Sequence, residues 1–224
     1  MDEKVRDERR RRGALPAMTK ARWLACTDPS GLLLAAGERA TERKVRLFCV
    51  ACCRRVLHLA PKGKQKTAET VLAVAERYAD GGATKAERLK AEKTARGSYM
   101  MVHATLPARC TPSDAFYASG HACAFASYGK QGVAEDVTQA EQVALARDIL
   151  GPFRPVAPDP NWLTSTVVAL ARGIYDERAF DRLPILADAL QDAGCENEDV
   201  LTHCRGPGPH VRGCWVVDLV LGES

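Results

Sequence analysis

Residues 41–61, TERKVRLFCVACCRRVLHLAP, decide the fold class. Thr41 offers a side-chain oxygen to cap a helix start, and Pro61 cannot continue a helix. Between them Val45, Phe48, Cys52, Val56 and Leu59 recur at intervals of three and four, which lines them up on one helical face. Arg43, Lys44, Arg46, Arg54 and Arg55 lie off that stripe and make the other face basic.

Helix signals continue on both sides. Thr19 caps a short helix through Trp23 and Leu24 that stops at Thr27-Asp28-Pro29, and a second apolar stretch over residues 32–36 stops at Gly37. Downstream, Thr67 is expected to cap a helix with Val71, Val74, Ala75 and Tyr78 on its apolar side, ended by Gly81-Gly82. Thr84-Lys85-Ala86-Glu87 has the form of a capping box, and so has Thr138-Gln139-Ala140-Glu141 ahead of Val143, Leu145, Ile149 and Leu150. Ser113 or Asp114 caps an alanine-rich, aromatic segment between these two. Residues 151–160 hold four prolines and read as a loop or linker. Four more helices are expected near 164–176, 181–193, 197–204 and 209–221, with Gly194 and Gly206 as stops. No clear period-two strand interrupts the pattern. The expected fold is all-α, an irregular bundle of roughly eight to ten helices. Residues 1–17, with arginines at 9–12, read as a basic, disordered extension, and 18–224 as a single helical domain with a subdivision point near 151–163.

The chain has 224 residues, of which 46% are hydrophobic and 27% charged, a balance that excludes wholesale disorder. No apolar run reaches the roughly 18–20 residues that span a bilayer, and the N-terminus has no secretory apolar stretch, so a cytoplasmic location without a membrane partner is expected. Nine cysteines, an odd number without an export signal, argue for free thiols rather than a disulfide framework. The net charge of +4 conceals an asymmetry: residues 1–112 carry 24 basic and 12 acidic side chains, residues 113–224 carry 8 and 16. Such a division either steers an acidic partner or lets the two halves attract each other.

Distinctive stretches run through the chain. They include Trp23-Leu24-Ala25-Cys26-Thr27-Asp28-Pro29, Arg43-Lys44-Val45-Arg46-Leu47-Phe48 and Ala51-Cys52-Cys53-Arg54-Arg55. Two more follow, Tyr175-Asp176-Glu177-Arg178-Ala179-Phe180-Asp181-Arg182-Leu183-Pro184 and His203-Cys204-Arg205-Gly206-Pro207-Gly208-Pro209-His210-Val211-Arg212-Gly213-Cys214-Trp215. In these the chain resembles a family of uncharacterised proteins abundant in planctomycete bacteria. Residues 97–131 depart from the alanine-rich segment typical of that family. The resemblance implies a fold neighbourhood and no catalytic residue, and its motif starting at Met18 supports treating residues 1–17 as an extension.

Three constellations carry possible chemistry. The first is metal-binding: His210 and Cys214 are four apart and would share a helical face, with Cys195 and Cys204 completing a tetrahedron for zinc. No close Cys-x-x-Cys knuckle accompanies them, and a packed cysteine core is the simpler reading, as it is for Cys49 and Cys52 in mid-helix. The second is an anion site, in which Arg205, His210 and Arg212 surround the turn Gly206-Pro207-Gly208-Pro209 at an expected helix start. A tight interhelical turn explains the same residues. The third is nucleic-acid backbone binding through Arg43, Lys44, Arg46, Arg54 and Arg55, which lack interleaved aromatics for stacking. Asp176, Asp181, Asp188, His203 and His210 are available for acid–base work, but no nucleophile, metalloprotease or kinase signature accompanies them. The leading expectation is a non-enzymatic helical interaction module, an accessory subunit with a protein partner and no cofactor. Nucleic-acid binding is the first alternative, and a zinc protein or metal-dependent enzyme the second.

Overall fold

Several helices in this chain start where a side chain satisfies free amides of the first turn. The computed structural model describes residues 18–60, 62–95 and 135–223, and among these there are ten α-helices and no strand. Thr19 accepts from the Arg22 amide to open α1 (Lys20–Ala25), and Asp28 accepts from Ser30 and Gly31 to open α2 (Pro29–Ala36). Thr41 opens α3 (Glu42–Val56) through the Lys44 amide. After α4 (Lys62–Ala79), Thr84 and Glu87 exchange the reciprocal bonds of a capping box at α5 (Lys85–Ala95). Then come α6 (Glu135–Leu150), α7 (Ser165–Glu177), α8 (Leu183–Asp192), α9 (Glu198–Arg205) and α10 (Trp215–Leu221).

Three boundaries differ from the sequence reading. Helix α4 begins at Lys62 rather than after Thr67, and α6 has already begun at Glu135 when the chain reaches Thr138. The last helix begins at Trp215, not near residue 209, because Gly208 and Gly213 take positive φ values and end any helical path through the turn. The residue 1–17 extension, the Ser113/Asp114 cap, Cys110 and Cys123 lie outside the described residues.

The buried residues form two main clusters. The first joins α1, α2, α3, α4 and α6, and α3 is buried well beyond one stripe: Val45, Leu47, Phe48, Cys49, Val50, Cys52 and Cys53 are all inside. Removing each large side chain of this kind from water contributes about 1.5–3 kcal/mol. The second cluster runs from Val167 to Val220 and is built by α7 to α10. Cys49, Cys52 and Cys53 are free and buried, so they pack as small hydrophobes.

Because α3 is enclosed, its basic residues do not form an open face. Arg43 reaches Asp80 at 3.0 Å and Asp218 at 2.8 Å, and Arg54 pairs with Glu76 at 2.9 Å. Arg46 is buried and lies over the Tyr78 ring at 5.0 Å. Lys44 donates to the Ile149 carbonyl, while Arg39 donates to those of Leu150 and Pro152. Two cations thus cap the C-terminal end of α6, where the helix dipole is negative. That arrangement holds the last turn of α6 in place, and with it Asp148.

Candidate metal centre

Asp148 lies in the last turn of α6, the helix that gives Leu145, Ile149 and Leu150 to the first core, and is 2% exposed. The other side chains of the centre come from the far end of the sequence. His203 sits in the last turn of α9, Cys214 is the residue before α10, and His210 lies in the turn between them. Gly208 shapes that turn: its φ is +80°, and a Cβ there would meet the His210 amide nitrogen at 2.9 Å. Gly213, at φ +89°, lets the chain lie against Leu47, which a Cβ would meet at 3.0 Å. Only glycine satisfies both conditions without strain.

Four donor atoms converge as a result. Asp148 Oδ1 lies 2.7 Å from His210 Nδ1 and 3.1 Å from His203 Nε2, and His203 Nε2 lies 3.2 Å from Cys214 Sγ. All four ligand atoms fall within 4.8 Å of one another. A zinc ion bound tetrahedrally at about 2.0–2.3 Å has donor–donor edges of roughly 3.3–3.8 Å, so small shifts would seat one.

Outer contacts orient the donors. The Val211 amide donates to Asp148 Oδ2 at 2.9 Å, which leaves Oδ1 facing the centre. His210 Nε2 faces the Gly206 carbonyl at 3.4 Å, and donation there leaves Nδ1 for the centre. The His203 ring is set between His210 and Trp215, with centroids 4.8 and 5.2 Å away. Burial would raise the Asp148 carboxyl, but hydrogen bonds from His203 and His210 outweigh it and hold it below the usual range. Burial would lower His210, and its bond to Asp148 more than offsets that, so it is raised. Burial, with the charge of Asp148, pushes the Cys214 thiol well up.

Of the expected metal ligands, His210 and Cys214 are in the centre, although a turn rather than a helix brings them together. Cys195 and Cys204 are not part of the four-donor group. Cys204 follows His203 on α9, so it points about 100° away, into the second core. Burial pushes its thiol up to about 12, and burial raises that of Cys195 as well. Asp148 and His203 take their places. Asp148 stands 62 residues before His210, and its only sequence signal is a carboxylate at the apolar end of a helix.

The expected anion set does not converge. Arg205 is held by Asp188 and Gln191 at 2.9 and 2.6 Å, and Arg212 lies over the Tyr175 ring with Asp80 at 3.4 Å. With α10 starting at Trp215, no helix N-terminus opens at residue 209 to supply free amides. The expected nucleic-acid set is likewise committed within the chain: Arg43, Lys44, Arg46 and Arg54 as described, and Arg55 to Glu141 at 2.5 Å. Among the described residues no helix is long and apolar enough to cross a membrane. Comparison with protein-family models, with characterised proteins and with solved structures finds no match to this chain.

Proposed function

We propose that the chain is a non-enzymatic helical module stabilised by one zinc ion held by Asp148, His203, His210 and Cys214. The observation that carries this reading is the convergence of four donors within 4.8 Å, drawn from a helix and a distant turn. One sulfur, two imidazoles and a carboxylate suit zinc, whereas calcium and magnesium take oxygen ligands. Four protein donors leave no open coordination position, which is the pattern of a structural rather than a catalytic centre. With Cys214 as thiolate and Asp148 ionised, a zinc ion makes the centre neutral, which suits its burial. A module of this kind acts through contacts with a protein partner, the ion serving the fold.

The test is elemental analysis of the full chain purified without chelator, followed by cobalt substitution. One equivalent of zinc is expected, and cobalt should give intense thiolate charge-transfer absorption that Cys214→Ser abolishes. Protein that retains no metal, and whose spectrum is unchanged by cobalt, would mean that the four side chains form only a hydrogen-bonded cluster.

A further inference from the structure

We infer that zinc at this centre works as a clasp between two separately built helical units, so that its occupancy sets how firmly they dock; this rests on the zinc reading above. The donors are divided unequally. Asp148 belongs to α6, whose Leu145, Ala146, Ile149 and Leu150 are part of the first core. Cys214 is part of the second core, His203 lies on α9 beside its member Cys204, and His210 lies on the turn between α9 and α10. His203 and Cys214 therefore belong to one unit and Asp148 to the other, with His210 on the turn at the seam, where its neighbour Val211 packs against the first core.

The second core draws its buried residues from 167–220 alone, so it does not need the first to close. Much of what joins the two units is polar. Arg43 bonds Asp218 and Tyr175 at 2.8 Å each, the Tyr175 hydroxyl donates to Asp80 at 2.8 Å, and Arg178 bonds Glu76 at 2.9 Å. Close backbone packing adds Gly151 against Trp215, and Gly213 against Leu47 and Ile149. Polar interfaces between units of one chain permit relative motion unless something fixes them. A metal with donors on both sides does so, since its full binding free energy is available only when Asp148 and the 203–214 segment are together.

The experiment is hydrogen exchange on the full chain, zinc-loaded and then chelated, with helix content followed by circular dichroism. Exchange at the contact segments, residues 146–157 and 206–215, should rise by at least about tenfold on chelation, as expected for local opening. The interior of α8 should stay protected and the dichroism should change little. Asp148→Ala in excess zinc should show the same open pattern while cobalt still gives a thiolate band, because three donors remain. If zinc is bound but chelation unfolds α8 together with everything else, or leaves 146–157 and 206–215 protected, the clasp is wrong and the zinc reading stands. If no zinc is bound, the reading beneath it fails.

Discussion

Asp148 and His210 meet at 2.7 Å across 62 residues of chain, and the Val211 amide next to His210 holds the second oxygen of the same carboxylate at 2.9 Å. One buried side chain of α6 thus fixes both the direction of the histidine and the path of the turn that carries it. This couples the position of a candidate metal donor to the packing of two cores.

The ligand thiol and the packed thiol beside it should behave differently. Cys214→Ser should lose bound zinc and several kcal/mol of stability, because the unfolded chain has no preformed site. Cys204→Ala should keep its zinc and lose about 1 kcal/mol or somewhat more through the cavity it leaves. Thermal melts with and without chelator check both: chelator should lower the melting temperature of wild type and Cys204→Ala but not of Cys214→Ser.

The turn should be intolerant of a side chain. Gly208→Ala places a Cβ at positive φ against the His210 amide, and such backbone strain costs about 1–3 kcal/mol. Competition against a chromogenic chelator should show weaker zinc retention than in wild type. Retention equal to wild type would mean that the turn adapts without moving His210.

Two arginines of α3 should separate by burial. Arg43→Ala leaves Asp218 buried and unpaired, and breaking such a pair costs about 3–5 kcal/mol. Arg55 is 45% exposed in its pair with Glu141, and Arg55→Ala should cost no more than about 1 kcal/mol. Urea unfolding of both variants measures the difference. A salt-sensitive loss of DNA retention in Arg55→Ala, at unchanged stability, would support the nucleic-acid alternative.

Glu76 should make stability depend on pH in the acid range. Burial alone would raise its carboxyl, but hydrogen bonds from Arg178 and Arg54 outweigh this and lower it. A lowered folded value means that the unfolded state takes up the proton first. The contribution is therefore complete above the unfolded value of about 4.3 and is lost as pH falls through the folded one. Urea midpoints from about pH 6 down to about pH 3 should fall more steeply in wild type than in Glu76→Gln. Equal slopes would remove Glu76 from the account.

Much of the helical framework is legible in the sequence because its signals are local. Thr41 caps α3 and Thr84 boxes with Glu87 as their spacing implies, since a cap and the amides it satisfies lie within three residues. The start of α4 at Lys62 is missed because Thr67 is an equally good cap on paper, and only packing places it inside the helix. Chain spacing also brings His210 and Cys214 into consideration, but for a helical reason that the turn does not share.

By itself, then, the sequence determined an all-α chain, most of its helix boundaries and the segment that carries three of the four clustered side chains. These follow from periodicity, caps and glycine stops, each acting over a few residues. Tertiary structure alone decided that Asp148 joins His203, His210 and Cys214 in one cluster and that Cys195 and Cys204 lie outside it. It also decided that the basic side chains of α3 face carboxylates, a carbonyl and an aromatic ring of the chain itself. Those outcomes depend on which helices come to lie against one another, and no spacing within a single helix records the neighbour across a core.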